Sequence, residues 1–77
     1  MNRNEEAVVV VKSMQNQVDA DKVLNVLLGV WGIEGAEVNL YSNKATFTYD
    51  NRMASLHDFE QALLDAGYDV TTVSSER

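Results

Sequence analysis

Asn16, Asp19 and Asp21 bring three oxygen donors close together, and Met14 adds a soft sulfur just ahead of them. Hard oxygen ligands suit calcium or magnesium, yet the set lacks the remaining ligands and the central glycine of an EF-hand loop. The same residues fit a helix start equally well. An asparagine oxygen can accept from an unpaired first-turn amide, and Asp19 with Asp21 places two carboxylates at the positive end of the helix dipole. His57 is the single histidine and Met14 the nearest soft partner to weigh against it, but a solvent-exposed helix position is its default. There is no glycine-rich phosphate loop, no Ser-His-Asp set and no inward carboxylate pair, so the chain is expected not to be an enzyme. Cysteine is absent, which removes disulfides, thiolate zinc or copper(I) sites and a thiol nucleophile.

The 77 residues allow one domain, spanning 1–77 with an ordered core from about 7 to 73. Six Lys plus Arg stand against twelve Asp plus Glu, a formal charge of −6. That balance repels phosphate backbones and anionic membrane surfaces, so neither nucleic acid nor membrane is expected as a partner. The longest apolar run, Ala7 to Val11, is too short to cross a bilayer, and the polar first residues carry no leader pattern. A cytoplasmic location is the corresponding expectation.

Positioning these donors requires a particular set of elements. The valine-rich run from Ala7 to Val11 reads as a first strand. Val23, Leu27 and Val30 recur at helical spacing, which predicts a first helix running to about Trp31, stopped by Gly32 in the left-handed region. Gly35 marks a further turn. Ala36, Val38 and Leu40 alternate with polar residues, Ser42-Asn43 turns the chain, and Ala45, Phe47 and Tyr49 form the returning strand of a hairpin. Ser55 and Asp58 form a capping-box start for a second helix whose stripe is Leu56, Phe59, Ala62, Leu63 and Ala66, with Gly67 as its stop. Tyr68 to Val73 is the last strand, and Ser74 to Arg77 a tail. The fold class is α+β: a ferredoxin-like βαββαβ sandwich with two helices on one face of a four-stranded antiparallel sheet. In this topology the second helix starts far from the first loop and ends beside it. His57 therefore cannot complete a site with Met14, whereas Gly67 and Tyr68 should flank the loop.

The segments VVVVKSM, EVNL, ATFTYD and SLHDFEQALLDAGYDV carry a more specific signal. They resemble, from end to end, the heavy-metal-associated domains of copper chaperones and metal-pump N-termini. In that family a strand leads into a GMxCxxC loop, the first helix ends at Gly-Val, the hairpin strands read VNL and VTYD, and the chain closes with GYDV. From about Val8 to Val70 the match needs no insertion or deletion, with Ser13 at the family's glycine and Met14 at its methionine. Asn16 and Asp19 then fall on the two cysteines. Tyr68, where eukaryotic members commonly have lysine, resembles the bacterial branch and implies a side chain flanking the metal position. The resemblance implies a link to metal-ion binding or transport, with a metal pump or another protein as partner. Soft sulfur is what selects copper(I), so Asn16 and Asp19 with Met14 imply at most a weak, atypical site, and no bound ion is as well supported. In the family the matching methionine resembles a core plug more than a ligand.

The first helix also carries a second apolar row, Leu24, Leu28 and Trp31, turned about 100° from the core row. Trp31 stands where the family usually has a polar residue, and tryptophan is enriched at interface hot spots. Either the row widens the core contact, or it is a surface for a partner or homodimer, which would make the chain a non-metal interaction module. Gly29 in this helix costs up to about 1 kcal/mol relative to alanine and permits close approach.

Overall fold

The computed structural model describes residues 4–75, and its elements run β1 (Asn4–Val11), α1 (Gln17–Leu28), β2 (Ile33–Asn39), β3 (Lys44–Asp50), α2 (Leu56–Asp65) and β4 (Val70–Ser75). The sheet is antiparallel with strand order β2-β3-β1-β4, the ferredoxin-like arrangement expected from the sequence. Ala7, Val9 and Val11 of β1 and Ala45, Phe47 and Tyr49 of β3 project from one face, where Val23 and Leu27 of α1 and Phe59 and Leu63 of α2 cover them. Phe59 is the hub of this layer, its ring 4.6 Å from that of Phe47 and 5.0 Å from that of Tyr49. The opposite face keeps Val8, Val10, Thr46 and Thr48 only partly covered.

Several boundaries differ from expectation. β1 begins at Asn4 rather than Ala7, because the polar residues Asn4, Glu5 and Glu6 pair with Asp50, Tyr49 and Thr48 of β3. Backbone pairing extends the strand where apolar content does not. At the other edge, Ser74 and Ser75 belong to β4, paired with Val8 and Ala7, and are not tail; Glu76 and Arg77 lie outside the described residues. α1 ends at Leu28 with Gly29 as C-cap, about one turn before Trp31. The chain then turns through Val30 and Trp31 to Gly32, whose φ of +98° suits glycine. A Cβ at Gly32 would lie 3.0 Å from the Cβ of Met53, so the position also demands close approach. Gly35 lies inside β2, at the register shift between Ile33 and Gly35, and is no separate turn. Ala66 is the C-cap of α2 and exposed, so it drops out of the predicted buried stripe.

Candidate functional site

The segment from Lys12 to Asn16 links β1 to α1 and is held by two other parts of the chain, the approach to β4 and the hairpin turn. Lys12 N–H donates to the Asp69 carbonyl at 3.1 Å, and Asp69 N–H donates back to Ser13 Oγ at 3.2 Å. Val11 N–H donates to the Asn43 carbonyl at 2.7 Å. Asn43 replies with its side-chain amide, which donates to the carbonyls of Val11 at 3.2 Å and Met14 at 2.9 Å, with a longer contact of 3.5 Å to that of Lys12. Its φ of +55° is the left-handed conformation asparagine tolerates better than most residues.

The donors singled out in the sequence are engaged in the same framework. Asn16 is the N-cap of α1, its Oδ1 accepting from Asp19 N–H at 3.0 Å. Asp19 returns the contact, its Oδ2 accepting from Gln15 N–H at 3.0 Å. The other oxygen, Oδ1, accepts from the Tyr68 hydroxyl at 3.1 Å. Asp21 turns instead to Gln17, whose side-chain amide donates to it at 2.9 Å. Two donors therefore meet at the loop, Asn16 and Asp19, and the third does not join them. Met14 is 3% exposed and part of the hydrophobic core. His57 sits exposed on the first turn of α2, at the far end of the domain. Among the described residues no group of three His, Cys, Asp or Glu side chains could together hold a metal ion.

Tyr68 is largely buried, and that burial, followed by the hydrogen bond and the negative charge of Asp19, pushes its phenol above the ordinary value. A raised phenol favours the folded state while protonated. This contribution is fully present below the unfolded value of about 10 and is lost as pH rises through the higher folded value. Asp19→Asn is expected to lower the Tyr68 ionisation without returning it to the ordinary value, because burial is the larger cause. The difference in alkaline phenolate absorbance between each protein and its Tyr68→Phe counterpart reads this directly. An unchanged ionisation in Asp19→Asn would mean that the Tyr68 to Asp19 bond does not form in solution.

The structure separates the three residues of the second apolar row. Leu24 is half-buried on α1, Leu28 is exposed at its end, and Trp31 lies beyond the helix in the turn. With 76% of its surface exposed, Trp31 does not fold over the sheet edge to widen the core. It shares a surface depression with Leu28 and Met53, at the opposite end of the domain from the loop. Sequence reasoning did not include Met53, which comes from the turn between β3 and α2, nor did it single out Asn43 or Asp69, and it placed Ser13 only at the family's glycine position. The available signal for Asn43 was its place in a two-residue turn, where asparagine adopts positive φ.

No protein-family model matches the chain, and no curated protein matches its sequence. Solved structures do match. A copper-binding domain from HMA7, a P-type ATPase, superimposes with a TM-score of 0.90 at 25% identity, covering 95% of this chain and 99% of that one. The CopZ metallochaperone gives 0.82 at 26% identity, covering 86% and 98%. Oxidized MerP from Ralstonia metallidurans CH34 gives 0.86 at 22% identity, covering 90% and 96%. The fold is that of the heavy-metal-associated domains, shared here by a chain without cysteine. Among the described residues no helix is long and apolar enough to cross a membrane.

Proposed function

We propose that this protein is a thiol-free relative of metallochaperone and metal-pump domains that serves metal-ion handling by docking to a partner protein, and not as an ion carrier or an enzyme. One observation supports this above the others: the side chains at the two positions that resemble the family's cysteines are spent on the loop itself. Asn16 caps Asp19, and each carboxylate oxygen of Asp19 already accepts a hydrogen bond. The loop keeps its form with internal bonds where a thiolate pair would gain its order from an ion. Any ion held by Asn16 and Asp19 has to displace these bonds, and the buried Met14 supplies no open ligand. The copper-binding domain and metallochaperone that share the fold support the metal link by fold, not by ligand set.

The test is a titration of the protein with copper(I), zinc, nickel and calcium, followed by amide NMR shifts. No saturable shift at micromolar ion is expected. Saturable shifts confined to Met14 to Asp21 and Gly67 to Tyr68 would show a working oxygen-donor site and overturn the ion-free reading. A second reading, an interaction module with no metal link at all, is favoured by the exposed Leu28, Trp31 and Met53 surface and would be identified by its partner.

A further inference from the structure

At the end of the domain remote from the loop, Trp31 is 76% exposed, Leu28 48% and Met53 45%, and the three line one depression together with Gly32, Ile33 and Glu34. Trp31 is the only tryptophan of the chain. The charge here is negative on balance, with Glu34 and Asp50 in the lining and Arg52 beside both. No basic residue occupies the last turn of α1, so the negative end of that helix is not offset. Glu34 is exposed beside it. The nearby cation, Arg52, is committed to Asp50, with Nε donating at 3.1 Å and an Nη2 contact of 2.7 Å.

From this placement we propose that the Leu28, Trp31 and Met53 surface docks a basic amphipathic segment of another protein, with apolar side chains in the depression and a Lys or Arg between Trp31 and Glu34. A cation there gains from the Trp31 ring face, the carboxylate and the helix end together. A second copy of this chain is the poorer occupant. Pairing the patch with itself would oppose two Glu34 side chains and two α1 C-termini on molecules that each carry a formal charge of −6. This inference deepens the docking reading by giving the partner's chemistry, and it is independent of whether the loop binds an ion. Loop shifts with a metal would overturn the proposed function and leave this surface standing.

Two tryptophan-free amphipathic peptides of equal length, one of Leu and Lys and one of Leu and Glu, are titrated into the protein. The readouts are Trp31 emission and amide NMR shifts. The Leu/Lys peptide is expected to give a saturable blue shift, with amide changes confined to Leu28 to Glu34 and Met53, and the Leu/Glu peptide none. Glu34→Gln should weaken binding severalfold. Trp31→Ala, followed by NMR, should weaken it about tenfold or more, as expected for a hot-spot residue. Both variants alter exposed residues and should keep the fold, which the remaining amide shifts verify. Equal response to both peptides, no saturable binding, or shifts centred on another face would overturn the proposal. So would a dimer in sedimentation equilibrium that Trp31→Ala returns to monomer, since the occupant would then be a second copy.

Discussion

The double variant Asn16→Cys/Asp19→Cys is expected to take up one copper(I) ion per chain and hold it against a colorimetric copper(I) chelator, while the unaltered protein leaves the ion with the chelator. The reason is geometric and chemical. Asn16 Oδ1 and Asp19 N–H are 3.0 Å apart, so the two side chains start from the same corner of the α1 N-terminus. A helix N-terminus lowers the pKa of a thiol and stabilises the thiolate, and two thiolates supply the soft donors that copper(I) prefers. Either single variant offers one sulfur and should bind far more weakly. The substitutions also have a stability signature. Losing the N-cap costs about 0.5–2 kcal/mol, and losing the first-turn carboxylate about 0.3–1 kcal/mol more. In a domain of this size each kcal/mol shifts Tm by about 4–8 °C, so the reduced, ion-free variant should melt clearly below the unaltered protein. Copper(I) should then raise its Tm, by roughly 2.7 kcal/mol of stabilisation at a hundredfold excess over Kd. A double variant that folds but takes no copper(I) would mean that Asn16 and Asp19 do not occupy the positions of a thiolate pair.

The contrast between what could and could not be read ahead of the structure follows the range of each interaction. The α2 stripe of Leu56, Phe59 and Leu63 announces itself through periodicity, because one-sided burial forces it, and the strand at Ala7 to Val11 through its unbroken run of β-branched valines. The α2 start was legible in the same way. Ser55 N–H donates to the Asp58 carboxylate at 2.9 Å, a contact three residues long that the residue types alone suggest. The end of α1 was misread because Val30 and Trp31 continue the helical spacing of Val23 and Leu27. Nothing local distinguishes a core residue on a helix from one on the turn just after it. What settles the matter is the approach of Gly32 to Met53 and Ala54, a contact between distant segments. Asn43 was illegible for the same reason. Its turn conformation could be anticipated, but the targets of its amide lie near the start of the chain and are brought within reach only by the β1 to β3 pairing. The Asn16 cap was legible from residue type, whereas the match of Asn16 and Asp19 to the cysteine positions rested on resemblance and the Asp19 bonds to Gln15 and Tyr68 emerge only in the fold.

That hidden contact carries the second large effect. Asn43→Ala is expected to destabilise the domain by about 2–5 kcal/mol. Two hydrogen bonds to the Val11 and Met14 carbonyls are lost, each about 0.5–1.5 kcal/mol, and a left-handed alanine adds about 1–2 kcal/mol of backbone strain. Two further substitutions separate these causes. Asn43→Gly relieves the backbone and leaves only the missing amide, so it should fall between the unaltered protein and Asn43→Ala in urea midpoint. Asn43→Asp keeps the shape and tolerates the same φ, but it turns a donor facing three carbonyl oxygens into an anion. It should therefore be no better than Asn43→Gly, and its deficit should shrink as pH falls and the carboxyl gains a proton able to donate. If instead Asn43→Asp matches the unaltered protein at neutral pH, the amide is not what holds the loop, and the bracing would have to come from the Asp69 and Ser13 side and the Val11 bond to the Asn43 carbonyl. The order of the three midpoints thus decides whether the first loop owes its shape to one asparagine amide on the hairpin turn or to the backbone contacts around it.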